Sequence, residues 1–136
     1  MVIFKGIDNK ERLTLELIGF DKETRLYEYE IRLMKDDYLA KFYQGWEAGD
    51  DFRWIITWLN TIGENPFSNL EMDNLPLKFQ FHHSENACNY YLLTFSNYNM
   101  EDSESKFEFE FIISNSVQTT MEQSQILENR LSELMA

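Results

Sequence analysis

The chain has 136 residues, a length that a single compact domain commonly has. It carries 24 Asp and Glu against 12 Lys and Arg, so its formal net charge is −12, and 43% of its residues are hydrophobic. This hydrophobic content excludes a disordered chain, and the 5 Gly and 2 Pro are too few for a linker-rich or collagen-like one. The composition predicts one acidic domain and identifies no reaction.

The charge is distributed unevenly along the chain. Residues 1–35 hold equal numbers of acidic and basic side chains, so the whole net charge falls in residues 36–136. A negative field of this kind repels nucleic-acid phosphates and anionic membranes and attracts cationic partners. We therefore expect neither a nucleic-acid nor a membrane partner. The alternative is that the acidity only keeps an aromatic-rich protein soluble.

Cysteine content and apolar stretches indicate the compartment. Cys88 is the only cysteine, so neither an intrachain disulfide nor a multi-cysteine zinc cage can form, and a reducing compartment is the simplest interpretation. The first residues contain no apolar run of signal-peptide length, and no stretch is long and apolar enough to be a membrane span. We expect a cytoplasmic protein.

The first half of the chain reads as strands followed by a helix. Alternating apolar residues predict an antiparallel hairpin formed by residues 13–18 and 26–34, and a third strand from Tyr38 to Trp46. The next helix is expected to begin at Asp50 or Asp51, as a cap, and to end near Gly63 in a left-handed conformation. Trp54 and Trp58 form one stripe along it. We expect this stripe to pack in the core, the alternative being an anchor for a partner.

The second half repeats this order without sequence identity. Strands are predicted over 77–83, 89–98 and 106–113, followed by an amphipathic helix from 116 to 135 in which Thr119 and Glu122 have capping-box spacing. Its predicted apolar positions are Val117, Met121, Leu127, Leu131 and Leu134. The order predicts an α+β fold with antiparallel sheet and two helices packed on it. Polar residues at alternate strand positions would leave one sheet face in contact with water, and whether the halves form one sheet or two stays open.

Candidate catalytic groups are sparse. His82 and His83 are strand neighbours expected to point to opposite faces, which argues against a shared metal ion. Cys88 lies in a predicted turn with no third member of a nucleophilic site. Nucleotide-binding and metalloprotease motifs are absent from the sequence. We predict no catalytic, cofactor or metal-binding residue, the alternative being an enzyme that uses His83 or a carboxylate pair.

Two groups of acids could stand in for phosphates in front of a basic protein surface. One consists of Asp36, Asp37, Glu47, Asp50 and Asp51, with Trp46 as a neighbouring aromatic anchor. The other consists of Glu101, Asp102 and Glu104. The alternative for each group is an ordinary solvated charge run. Only the first group is predicted to bind a partner.

The segment Trp54-Ile-Ile-Thr-Trp58-Leu59, the aromatic strands, the order of elements and the closing amphipathic helix resemble a known group. Over roughly residues 11–135 the chain is similar to the small immunity proteins of bacterial polymorphic toxin and contact-dependent inhibition systems, and most nearly to the WapI-type immunity family. The resemblance carries no catalytic signature and no contact residue.

The resemblance implies an activity without turnover. Such a protein binds and neutralises the C-terminal toxin domain of its own strain's effector, and a basic nuclease would attract an acidic partner. The competing interpretation is a small-ligand-binding domain with an apolar cavity. That cavity would be lined by Phe79, Phe81, Tyr91, Phe95 and Phe109.

Overall fold

The computed structural model describes residues 1–97 and 106–136. It is an α+β fold of two four-stranded antiparallel sheets and two helices. The elements in chain order are β1 Val2–Lys5, β2 Glu11–Phe20, β3 Leu26–Lys35, β4 Tyr38–Ala48, α1 Gly49–Ile62, β5 Leu70–Glu71, β6 Leu77–Glu85, β7 Cys88–Ser96, β8 Glu108–Ser116 and α2 Val117–Met135.

The first sheet is a meander with the strand order β1-β2-β3-β4. The predicted alternation in β2 and β3 is confirmed by the residues that are buried, which are Leu13, Leu15 and Leu17 of β2 and Tyr27, Tyr29, Ile31 and Leu33 of β3. A bulge at Ala40 shifts the register of β4, since Met34 faces Leu39 whereas Leu33 faces Lys41. Beyond the bulge, β4 continues to Ala48, two residues further than predicted.

The second sheet has the order β5-β6-β7-β8. Its central hairpin turns at Asn86 and Ala87, whose φ angles of 52° and 60° are both in the left-handed region. Two such residues are the mark of a type I′ turn, which matches the twist of the strands it joins. Phe111 of β8 is buried, whereas Phe107 and Phe109 are half-buried.

The two sheets meet at one point of strand pairing. Gly6, just after β1, forms a bridge with Ile113 of β8, and the Ile7 N–H donates to the Ile112 carbonyl at 3.0 Å. The Phe4 and Phe79 rings lie 5.0 Å apart, so one core runs across the junction. The two halves therefore form two sheets joined at an edge, which answers the question the sequence left open.

Helix α1 connects the buried faces of both sheets. Phe52 makes edge contacts with Tyr29 at 5.5 Å and with Tyr27 at 6.1 Å on β3. One turn and a half later, Trp58 lies 4.5 Å from Phe79 and donates its Nε1–H to the Ser68 carbonyl at 3.0 Å. The predicted tryptophan stripe is divided by this packing.

The other tryptophan of α1 is not in the core. Trp54 is 63% exposed, whereas Trp58 is 4% exposed. The prediction that both would be buried is wrong for Trp54, because α1 turns only the face of Phe52, Ile55 and Leu59 fully inward.

Both ends of α1 differ from the prediction. The N-cap is Ala48, which has no side-chain hydrogen bond, and Asp50 and Asp51 lie in the first helical turn instead. There they interact with the positive end of the helix dipole without capping it. At the other end Gly63 has φ −63° and remains right-handed, so the left-handed ending is wrong.

Helix α2 packs against the first sheet and α1. Arg130 Nε donates to the Leu17 carbonyl at 3.0 Å, Tyr27 Oη donates to the Leu131 carbonyl at 3.2 Å, and Ser124 Oγ donates to Asn60 Oδ1 of α1 at 2.6 Å. The cap is Ser116, whose Oγ accepts the Thr119 N–H at 3.1 Å, so the predicted Thr119–Glu122 capping box is wrong.

The apolar positions predicted along α2 are only partly confirmed. Leu127 and Leu131 are buried, whereas Val117 and Met121 are 45% and 66% exposed. Thr120, Gln123 and Ser124 take the corresponding buried positions and are held by hydrogen bonds. Across residues 1–97 and 106–136, neither helix could cross a bilayer, because neither combines the required length with an apolar composition.

Candidate partner-binding surface

The side of the first sheet that faces away from the core carries exposed aromatic and aliphatic residues. The residues of β3 and β4 that alternate with the inward-facing ones form a surface that we call the outer face. It consists of Glu28, Glu30, Arg32, Met34, Leu39, Phe42, Gln44 and Trp46. Leu39, Phe42 and Trp46 are 50%, 40% and 46% exposed. Exposed large apolar side chains gathered on one face and interleaved with charges are typical of a protein-binding surface.

Contacts between β3 and β4 hold the polar groups of the outer face in place. Arg32 lies with its guanidinium 5.1 Å from the Phe42 ring centre, 2.8 Å from Glu30 and 3.8 Å from Glu16. Gln44 Nε2 donates to Glu28 Oε1 at 2.5 Å. Each exposed pair contributes little to stability. Their effect here is to orient carboxylates beside exposed aromatic rings before any partner arrives.

Trp46 lies on the outer face, opposite Glu28 in the strand register. Glu47, the next residue, lies on the other side of β4, because successive strand residues alternate. Its carboxyl group is hydrogen-bonded with that of Asp51 in α1, and burial followed by the charge of Asp51 raises the pKa of Glu47 to about 7. Near neutral pH the Glu47 carboxyl group is therefore protonated for part of the time.

Two tyrosines complete the surroundings of Glu47. Burial is the main reason why the pKa values of Tyr29 and Tyr43 are raised, and the charge of Glu47 adds to both effects. The phenol groups of Tyr29 and Tyr43 are hydrogen-bonded to each other. Two neutral phenols and the partly protonated carboxyl group of Glu47 form a polar corner between β3, β4 and α1. This corner was not predicted from the sequence.

Asp50 and Asp51 both belong to the first turn of α1, and they differ in exposure. Asp50 is exposed, whereas Asp51 is half-buried beside Glu47 and accepts a hydrogen bond of 3.4 Å from Asn74 Nδ2. Asp50 is therefore available to a partner, and Asp51 is engaged within the molecule.

Asp36 and Asp37 form the turn between β3 and β4 and are exposed. They lie at the opposite end of β4 from Asp50, roughly 30 Å away along the strand at about 3.3 Å per residue. The structure therefore divides the predicted partner-binding residues between the two ends of β4. Trp46, Glu47, Asp50 and Asp51 lie together at one end. The second acidic group, Glu101, Asp102 and Glu104, lies outside the described residues.

His82 and His83 do not point to opposite faces, so that prediction is wrong. The register of β6 shifts between Phe81 and His83, and this bulge brings the two Nδ1 atoms within 2.6 Å of each other. His83 stacks on Tyr90 with ring centres 4.4 Å apart, and its Nε2 lies 3.8 Å from Glu85. In residues 1–97 and 106–136, no three His, Cys, Asp or Glu side chains are arranged to hold a metal ion.

The residues named for an apolar cavity are mostly engaged in packing. Phe79, Tyr91 and Phe95 are fully buried, and Tyr91 donates its hydroxyl to the Pro66 carbonyl at 2.8 Å. Phe81 and Phe109 are half-buried. Trp58 and neighbouring aromatic rings contact the buried members of the set. This packing gives the ligand-binding interpretation no support.

Leu39 and Phe42 were missed as surface residues. The signal was available in the sequence, because Phe42, Gln44 and Trp46 alternate with Tyr43, Gly45 and Glu47 through the last strand before the helix. Reading that alternation would also have separated Trp46 from Glu47. The sequence alone could not show that β4 ends the sheet and leaves its outer face uncovered.

Comparison with known proteins returned no relative. No protein-family model matches the chain, and no curated protein or solved structure matches it. The resemblance to immunity proteins therefore stays a prediction. The case for a function depends on the geometry and charge of the surfaces described above.

Proposed function

We propose that this chain is an immunity protein that binds a cationic bacterial toxin domain in the cytoplasm and neutralises it by covering its active site. The observation that carries the proposal is the outer face, where Phe42 and Trp46 are exposed among oriented carboxylates. Recognition of a protein through exposed aromatic anchors and matched charges needs no turnover.

Charge supports a basic partner. The net charge of −12 arises entirely after residue 35, and Asp50 is exposed close to Trp46 along the chain. A nuclease toxin presents a positive cleft to its phosphate substrate, and the same cleft attracts an acidic protein. Attraction over this range mainly raises the association rate, whereas desolvated aromatic contacts slow dissociation.

Trp46 is the exposed residue expected to contribute most to the binding energy. Trp46 is 46% exposed and has Glu28 beside it, so a partner that covers it would bury a large ring next to a carboxylate. Tryptophan is enriched among the residues that dominate binding energy in protein interfaces. Trp54 is 63% exposed on α1 and provides a matched comparison.

The test starts from the gene immediately upstream of this one, which the proposal expects to encode a secreted protein with a C-terminal toxin domain. Co-expression of the chain is expected to restore growth of cells that make this domain, and the two proteins should co-purify. Trp46→Ala is expected to weaken binding by about 2 kcal/mol, a typical value for an interface anchor, whereas Trp54→Ala should leave binding nearly unchanged.

Two results would contradict the proposal. The first is equal sensitivity of cells to the toxin domain with and without the chain, when both proteins are made in folded form. Alternatively, binding that is indifferent to Trp46→Ala and to salt concentration would exclude the outer face and the charge as its basis.

A further inference from the structure

β4 ends the first sheet and has a hydrogen-bonded strand on one side only. In an antiparallel pair, alternate residues direct their N–H and C=O groups away from the partner strand. Among the described residues, no strand other than β3 pairs with the segment 44–48, which we call the open edge. The open edge therefore presents backbone donors and acceptors in the spacing that an added strand requires.

Proteins normally protect such an edge. Short strands, lysines, prolines and bulges prevent unwanted pairing with other chains. The outermost strand of the second sheet, β5, has only two residues, and the hairpin half of β4 has the Ala40 bulge and Lys41. The open edge contains no lysine, proline or bulge. The part of β4 nearest Trp46 is thus the part without protection.

Charge distinguishes between the candidate occupants of the open edge. Residues 44–51 contain three acids and no base, and Glu28 and Glu30 border them on β3. A second copy of the chain would place these carboxylates against their own equivalents, which is unfavourable. In an added strand of alternating basic and apolar residues, the apolar side chains would lie on the outer face and the basic side chains on the side of Glu47.

We propose that the open edge is a strand-addition site that accepts an extended basic segment of a partner protein. The added strand continues the first sheet beyond β4, and its apolar side chains pack beside Phe42 and Trp46 on the outer face. Main-chain hydrogen bonds supply affinity in this mode of recognition, and the flanking side chains supply selectivity. The identity of the partner as a toxin domain rests on the proposed function, whereas the recognition chemistry does not.

The test uses a synthetic peptide with blocked ends and alternating Lys and Val, about eight residues long, together with the isotope-labelled full chain. Amide hydrogen exchange is measured by NMR with and without the peptide. In the free protein, alternate amides of the open edge are expected to exchange fast. Saturation with the peptide should slow the hydrogen exchange of these amides at least about tenfold. The exchange rates of amides that already donate to β3 should change little. A peptide alternating Glu and Val should cause no such change.

A matched pair of variants separates edge binding from bulk charge. Trp46→Lys places a positive charge, which repels the lysines of the peptide, at the open edge and should weaken peptide binding about tenfold or more. Trp54→Lys changes the net charge by the same amount on an exposed position of α1 and should leave affinity within about twofold. Spectra of both variants confirm that each is folded before affinities are compared.

Three results would overturn the proposal. The outward amides of residues 44–48 exchange at the free rate in saturating peptide, or the two variants weaken binding equally, or the chain alone self-associates through this edge. Failure to neutralise the upstream toxin domain, with peptide binding intact, would contradict the proposed function and leave the strand-addition site supported. If the chain neutralises the toxin domain while the amides of the open edge stay unprotected, the proposed function is supported and the strand-addition site is contradicted.

Discussion

Replacing Glu47 by Gln is expected to stabilise the protein at alkaline pH. Glu47 is half-buried beside Asp51, with Tyr43 on its own strand and Tyr29 on the neighbouring strand β3. Burial and the charge of Asp51 raise its pKa to about 7 from an ordinary value of 4.5. Glutamine has the shape of the protonated carboxyl group and cannot ionise, so it retains the favourable form of the pair at every pH.

The sign follows from linkage between protonation and folding. Because the pKa of Glu47 is higher in the folded than in the unfolded protein, its protonation stabilises the folded state fully below pH 4.5. This stabilisation is lost as the pH rises through about 7. The difference in pKa corresponds to at most about 3 kcal/mol. Solvent screening of a partly exposed group reduces the expected effect to about 1 kcal/mol.

Urea unfolding of the wild type and Glu47→Gln at pH 5.5 and pH 8.5 measures the effect. The variant should exceed the wild type by about 1 kcal/mol at the higher pH and by less at the lower pH. Glu128→Gln on the exposed side of α2 makes the same chemical change and corrects for general repulsion in a chain of charge −12. If the two variants give equal changes at both pH values, the raised pKa of Glu47 is refuted.

Two backbone substitutions provide further tests by urea unfolding. Ala87→Gly should stabilise the protein by about 1 kcal/mol, because φ of Ala87 is 60°. The control Ala40→Gly, outside the left-handed region, should destabilise it by about 0.5 to 1 kcal/mol. Equal effects of the two substitutions would contradict the turn geometry. Gly45→Ala should cost about 1 to 3 kcal/mol, since the new Cβ would lie 2.9 Å from Tyr29 Oη. Gly19→Ala, whose nearest contact is a flexible carboxylate at 3.8 Å, is the control, and a similar loss at both glycines would exclude the Tyr29 clash.

The order of the main elements was predictable because their patterns are local. In β2 and β3 one face is buried and the other is not, so alternation in the sequence reports the strand directly. β1 and β5 were missed. β1 has four residues and β5 has two, and neither is long enough for its periodicity to be distinguished from chance. Their places in the sheets depend on partners, which a local pattern does not contain.

The candidate surface was predictable in part. The sequence located the acids and Trp46 near the end of the first sheet, and the fold places Trp46 on an exposed face. It did not show that Asp36 lies at the far end of β4 or that Glu47 turns inward, because both depend on the course of a strand whose limits were uncertain. The His82 bulge was also unpredictable, since a shift of one residue in the register of β6 leaves no mark in composition.

The bridge between Gly6 and Ile113 bears on how the chain reaches its native state. All other strand pairs join neighbours in the sequence, so within the described residues each meander can assemble from successive hairpins with little loop-closure entropy. The bridge and the α2 contacts, such as Gln123 Nε2 donating to the Ile3 carbonyl at 2.8 Å, instead require the two ends of the chain to meet. We therefore expect the pairing of Gly6 with Ile113 and the docking of α2 to be late steps of folding, after each half of the molecule has formed its sheet.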